Sequence, residues 1–327
     1  MNKNNFYTHY IVPFFQLWRH FGFRVAWNEM CFVLDRKRHP KDFTRRVPTF
    51  QKYSHLIALL ESKYGHIVEK YAHYTPEEWN GENVSADAPI WVYWQQGFEH
   101  APEVVQECYR SMKQHAGEHH VIALTGENLK EYVDLPDYVW EKHRRGIITH
   151  AFLSDIVRFA LLAKYGGFWV DACDFFLNDT FFKDAQHHSF YSVKGFENKI
   201  KITRQLWSDG LLACGKGNKY PQLMLELLLA YCRQENYLIE YFLSSCFQNV
   251  AYIRLMNLRR MFDAYRFNNT DFFSIRWNFA AEYDEALYQR IVRENSVVNL
   301  TWKVRVEKHK QTYFQKLLQY NEAQRNR

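Results

Sequence analysis

None of the six cysteines stands in a C-x-x-C spacing, which removes a zinc ribbon from consideration. They are Cys31, Cys108, Cys173, Cys214, Cys232 and Cys246, and most sit in apolar runs as small buried hydrophobes. No secretory-type apolar segment opens the chain, and no uninterrupted apolar run is long enough to span a bilayer. The sequence therefore reads as cytoplasmic, in a reducing compartment. It has no internal repeat and no low-complexity tract. LACGKGNKYP offers glycines and Lys216 without the G-x-x-x-x-G-K-[ST] spacing, which rules out a P-loop NTPase. The pairs His119-His120 and His187-His188 have no further ligand at metal spacing and read as surface histidines.

What is present is a chain of 327 residues, enough for one large domain or a domain with an accessory region. At 47% hydrophobic and 24% charged it has the make-up of a folded globular protein. Aromatics reach 18%. Most belong to a core, although flat amphipathic rings also suit a sugar-binding cleft. The net charge of +6 favours anionic partners. Much of it lies in residues 1–46, where Arg19, Arg24, Arg36, Lys37, Arg38, Lys41, Arg45 and Arg46 face only Glu29, Asp35 and Asp42. The near-neutral remainder argues against a nucleic-acid groove.

Two regions are expected. Residues 1–85 read as a basic, aromatic helical region, with Leu56, Ile57, Leu60, Tyr64, Ile67, Val68 and Tyr71 on a helical stripe. Thr75, Pro76 and Glu78 mark a helix start and Asn80-Gly81 a turn. Residues 86–327 change to alternating strands and helices, beginning with IWVYW and ending in a mainly helical part. The β-α-β-α-β order implies an α/β class with a mostly parallel, doubly wound sheet and ligands at the strand C-terminal ends.

The stretch SDIVRFALLAKYGGFWVDACDFF (154–176) concentrates the chemistry. Asp155 and Arg158 lie three apart, on one helix face, and interrupt an apolar run. A charge pair on a buried helix needs partners, so structural pairing and function stay equally open from these residues. Gly166-Gly167 closes the helix and returns the chain into a strand that ends at Asp171. A carboxylate at that edge can hold Mg²⁺ or Mn²⁺ against phosphate. D-x-D spacing would put a second acid at position 173, which holds Cys173; Asp174 follows one residue late and reaches the same side only through a bulge.

Together with IWVYWQQGFEHAPEVVQECYRSM, this stretch resembles the bacterial capsular polysaccharide synthesis proteins, which are similar to glycosyltransferase family 32 and more remotely to the glucosylating toxins. The order S-D-x-x-R, Y-G-G and aspartate carries the resemblance, which covers about Ala88 to Phe247, with LTWK near Leu300 as a weaker echo. It implies a GT-A fold, a nucleotide-sugar donor (a UDP-sugar), retention of configuration, and a capsular, lipopolysaccharide or other cell-surface glycan or lipid-linked acceptor. It implies catalytic roles for Asp155, Arg158 and Asp171. It also implies donor contacts from Trp91, Tyr93, Trp94, Ser154 and Gly167, and metal ligation by Asp171, with Asp174 as a second candidate. Trp207, Ser208, Asp209 and Glu240, the last in LIEYFL and expected on a helix, are weaker acceptor candidates. The basic N-terminal residues 1–46 suit an anionic inner membrane face as well as a solvated accessory bundle. The competing reading is a non-catalytic nucleotide-sugar or polysaccharide-binding protein on the same fold, which Cys173 keeps open. A haloacid-dehalogenase-type phosphatase is set aside, because DACDFF does not supply D-x-D-x-[TV].

Overall fold

The computed structural model describes residues 10–39, 47–197, 201–276, 279–304 and 311–325. Lys41, Asp42, Arg45 and Arg46 of the basic N-terminal stretch lie outside the described residues.

Among the described residues four helices come first: α1 (Val12–Phe21), α2 (Phe23–Arg38), α3 (Val47–Glu69) and α4 (Pro76–Asn80). The stripe Leu56, Leu60, Tyr64, Ile67 and Val68 is buried on α3. Thr75 and Glu78 start α4 reciprocally. The Thr75 N–H donates to Glu78 Oε2 at 2.8 Å, and the Glu78 N–H to Thr75 Oγ1 at 3.3 Å.

The alternating region then runs β1 (Ile90–Tyr93), α5 (Glu103–His115), β2 (Val121–Leu124), α6 (Leu129–Tyr132), α7 (Asp137–Arg144), α8 (His150–Tyr165), β3 (Gly167–Val170), β4 (Asp174–Phe176), α9 (Thr180–Ala185), β5 (Phe190–Ser192) and β6 (Leu211–Cys214). After it come α10 (Lys219–Gln234), α11 (Leu243–Arg254), α12 (Met256–Asp263), α13 (Glu285–Glu294), β7 (Val297–Asn299) and α14 (Tyr313–Arg325).

The central sheet has the order β2-β1-β3-β6-β5. β1 pairs in parallel with β2 and β3, while β6 runs antiparallel to β3 and β5. This is the expected α/β, GT-A-like architecture, with an antiparallel edge on the β6 side. The topology also fixes where a ligand fits. From β1 the chain crosses to β2 on one side and later returns to β3 on the other. The crevice outside the carboxyl ends of β1 and β3 is thus a topological switch point. Trp94 and Asp171 are the first residues beyond those ends.

One main core joins the N-terminal helices to the sheet, since Leu17 and Ala26 belong to the same buried cluster as Trp169 and Leu212. α3 lies against α10 and α11. A second core gathers Phe175, Val298, Leu300, Tyr313 and Leu317. α5 serves both: Val105 and Met112 face the main core, Val104 and Cys108 the second. Among the described residues no helix is long and apolar enough to cross a membrane.

Candidate functional site

Thr149 caps α8 by accepting from the Phe152 N–H at 3.1 Å. Gly166 (φ +67°) stops the helix, its N–H donating to Leu162 O at 3.0 Å. Gly167 adopts φ +92°, and a Cβ there would lie 2.3 Å from Pro89 O. Only glycine permits that approach, which lets the Phe168 N–H reach Pro89 O at 2.8 Å and start β3 beside β1.

The strand delivers Asp171 to the end of α8's charged face. Arg158 Nη1 donates to Asp155 Oδ1 at 2.8 Å and Nη2 to Asp171 Oδ1 at 3.2 Å. Trp169 shares a strand face with Asp171, two residues on. Its Nε1 donates to the same Asp171 Oδ1 at 2.9 Å, and its ring lies under the Arg158 guanidinium at 5.1 Å. Exposure separates the roles: the Arg158 side chain is 5% exposed, Asp155 15% and Asp171 43%. Arg158 is therefore an internal clamp, and Asp171 is the carboxylate that solvent or a ligand meets.

A third aspartate completes the cluster. Asp209 Oδ2 accepts from Ser244 Oγ at 2.8 Å and from Ser245 Oγ, while its Oδ1 is buried without a partner. Gly210 brings this loop in: its carbonyl accepts from the Asp171 N–H at 2.7 Å, and a Cβ on it would lie 2.6 Å from Asp171 Oδ2. Three carboxylates thus surround one guanidinium, and all three act electrostatically on Arg158. Burial pushes Asp155 up to about 7, with Asp209 and Asp171 adding to the shift and Arg158 opposing it. An acid raised in the folded state stabilises the fold at low pH, and that contribution is lost as pH rises through the folded value. Wild-type stability should thus fall between about pH 4 and pH 8, by at most ~4 kcal/mol from this group. Asp155→Asn should flatten that slope; urea midpoints of both proteins across the window check it.

The sequence DACD forms a turn. The Asp174 N–H donates to Asp171 O at 3.0 Å, and the Cys173 carbonyl accepts from the Leu300 N–H at 2.8 Å. β4 starts at once, so Asp174 turns inward, is fully buried, and accepts from Asn299 Nδ2 at 2.6 Å. Burial and then Asp171 push its carboxyl well above the usual range. Burial, with Asp174 and Asp171 nearby, holds the Cys173 thiol up at about 12, hence neutral. Neither residue replaces the second D-x-D acid. Among the described residues no group of three or more His, Cys, Asp and Glu could by itself hold a metal ion. What is offered is one exposed carboxylate, Asp171, in a cluster of three acids and one cation in all. That donor set suits a hard cation which keeps water and phosphate oxygens as its other ligands.

The other expected residues divide by placement. Trp94, half-buried, meets Trp302 edge-on at 5.8 Å beside the DACD turn. Tyr93 is half-buried at the end of β1, its hydroxyl donating to Gln95 Oε1. Ser154 is half-buried on α8. Trp91 does not reach the crevice: it is 2% exposed, donates Nε1 to Gly166 O at 3.0 Å and packs on Tyr132 and Tyr165. Gly167 begins β3, so a four-residue strand, about 13 Å at ~3.3 Å per residue, holds it away from the ligand edge. Trp207 and Ser208 are buried, the former against Tyr252 and Phe262 and the latter through Ser192, leaving Asp209 as the member of that trio at the cluster. Glu240 lies in a loop, not on a helix, and binds Lys52 at 2.6 Å. His119 is buried too, its Nδ1 at 2.8 Å from Ala88 O, and is not a surface residue.

Sequence reasoning assigned no role to Trp169, Gly210, Trp302 or Tyr241. Two had a signal: Trp169 the two-residue alternation with Asp171, and Trp302 its place in LTWK. Tyr241, 60% exposed, lies within electrostatic range of Asp155 and Asp171.

The family described as capsular polysaccharide synthesis protein matches residues 39–317. The chain is also similar to the O-glycosyltransferase braB of Annulohypoxylon truncatum, 25% identical over 157 residues, covering 44% of this chain and 37% of that protein. The match thus spans well under half of that relative's length. No solved structure matches.

Proposed function

The chain belongs to the capsular polysaccharide synthesis protein family, and from that premise we propose that it is a glycosyltransferase. It moves a hexosyl group from a nucleotide-sugar, a UDP-sugar, to a growing capsular, lipopolysaccharide or other cell-surface glycan, with retention. Its place is the cytoplasmic side, at the inner face of the cytoplasmic membrane. The observation that carries the reading is the buried Arg158 clamped between Asp155 and Asp171 at the switch-point crevice.

In this reading Asp171 faces the donor, and Arg158 with Trp169 fixes its rotamer. Arg158 is a positioning residue, since both its terminal nitrogens are already taken. Trp94 and Trp302 meet edge-on, so one ring offers the face on which the uracil stacks and the other closes its edge. Mg²⁺ or Mn²⁺ would be held by Asp171, and when bound supplies charge neutralisation to the departing diphosphate. Asp155 and Asp171 are engaged by Arg158, and Asp209 by two serines. Of the three, Asp171 is given to the metal, and Asp155 and Asp209 are held by Arg158 and by the serines, which favours a route without an enzyme nucleophile. Front-face attack fits best: the acceptor hydroxyl oxygen bonds to the anomeric carbon, the carbon–diphosphate bond breaks on the same face, and a diphosphate oxygen takes the hydroxyl proton.

The test is a panel of nucleotide sugars, each with and without Mn²⁺, read by thermal shift and by hydrolysis. One UDP-sugar should raise the melting temperature at concentrations well above its Kd and be slowly hydrolysed. Stabilisation with no turnover in the presence of acceptor glycans would favour a binding protein. The absence of any shift across the panel would remove the donor assignment.

A further inference from the structure

The hairpin of α1 and α2, joined at Gly22, carries its apolar residues on two faces. The inner face is fixed to the body. Leu17 and Ala26 are buried, and Glu29 on α2 binds Lys52 of α3 at 2.7 Å, which in turn binds Glu240. The outer face holds Phe15, Trp18, Phe23 and Trp27, each about half exposed at 45–55%. They form a continuous row: Phe15 stacks on Trp18 at 5.9 Å, Trp18 meets Phe23 edge-on at 5.5 Å, and Phe23 stacks on Trp27 at 5.9 Å. Large rings gathered in one exposed patch are uncommon on a monomer and mark an interaction surface.

The charge around the row says which surface. In the described hairpin, Arg19, Arg24, Arg36, Lys37 and Arg38 outnumber Glu29 and Asp35, and Glu29 is already neutralised by Lys52. Arg19 is exposed and follows Trp18 in the chain, Arg24 is exposed with Nη2 hydrogen-bonded to His55 Nε2 of α3, and Lys37 and Arg38 are exposed at the far end of α2. Exposed Trp and Phe flanked by Arg and Lys, on helices too polar to span, is the composition of a helix that lies in a lipid headgroup layer. We infer that the α1–α2 hairpin seats the protein on an anionic phospholipid surface, with Phe15, Trp18, Phe23 and Trp27 below the headgroups and the cations against phosphate. The inference stands apart from the transfer reading, because lipid binding is measured without donor or acceptor and either conclusion can fail alone.

The experiment uses the full chain with vesicles of phosphatidylcholine, alone or with one third phosphatidylglycerol. Co-sedimentation should require phosphatidylglycerol and weaken at high salt. Trp18→Ser/Trp27→Ser should lower binding by about tenfold or more. Arg19→Gln/Arg38→Gln should lower it roughly fivefold per cation removed. Circular dichroism confirms that each variant is folded. Brominated lipid should quench tryptophan fluorescence in the wild-type protein, a readout that needs no variant. Failure to bind at low salt, or binding that both variants leave unchanged, overturns the inference. So does a concentration-dependent dimer that Trp18→Ser/Trp27→Ser dissolves in a protein that ignores vesicles, since the row would then be an interface between two copies.

Discussion

Arg158→Met is expected to lower the unfolding free energy at pH 8 by about 3–5 kcal/mol, the cost of removing one partner from a buried ion cluster. The substitution keeps much of the side-chain volume and leaves Asp155, Asp171 and Asp209 without the cation between them. Against a typical total stability of roughly 5–15 kcal/mol this is a large fraction. The loss should be smaller at pH 5. Asp155, already held near 7 in the native protein, is then protonated and no longer needs a counter-charge. Urea denaturation of both proteins at the two pH values checks this. An equal loss at both would mean that packing, not charge, is what Arg158 contributes. Arg158→Lys should recover part of the stability, because one ammonium restores charge without the planar fork that reaches two carboxylates at once.

Asp171→Asn should do the opposite, altering stability little and function greatly. Its carboxylate is 43% exposed, so losing its contact with Arg158 should cost under about 1 kcal/mol. If Asp171 meets the donor, sugar transfer should fall by about 10²–10³-fold, the usual penalty for removing one preorganised electrostatic group. The amide keeps the shape and retains an oxygen for Trp169 and Arg158, so the loss reports charge. Full-rate transfer by a folded Asp171→Asn protein would end the role assigned to it.

The parts of the site that could be read from sequence are those built by neighbours along the chain. Asp155 and Arg158 share a helix face by spacing alone, the glycine pair dictates a tight return, and Asp171 follows a strand too short to go elsewhere. The order of elements likewise leads to the switch point. Asp209 was visible as a candidate but not as part of this cluster, because Gly210 brings it in through a backbone contact that no periodicity announces. Trp302 reaches Trp94 across about two hundred residues of sequence, where the Leu300 N–H bonds to the Cys173 carbonyl and the Trp302 backbone to the Cys173 thiol. Trp91 misled for a different reason. β1 has strands on both sides and is buried through Ile90, Trp91 and Val92, so alternation does not separate a ligand-facing ring from a core one. Glu240 misled because LIEYFL is apolar enough for a helix, whereas its carboxylate reaches forward to accept from the Phe242 N–H at 3.3 Å in a loop.

The turn at Asp171–Asp174 acts as a ruler. Asp171 must end one strand and Asp174 must begin another, opposite Asn299, so their separation cannot change without shifting a whole layer of the molecule. Between them the fold leaves room for one small, neutral side chain. At position 173 it uses the main-chain carbonyl and shuts the thiol in against the core and the Trp302 backbone. Cysteine can stand there because this link constrains length and bulk, and asks for no charge.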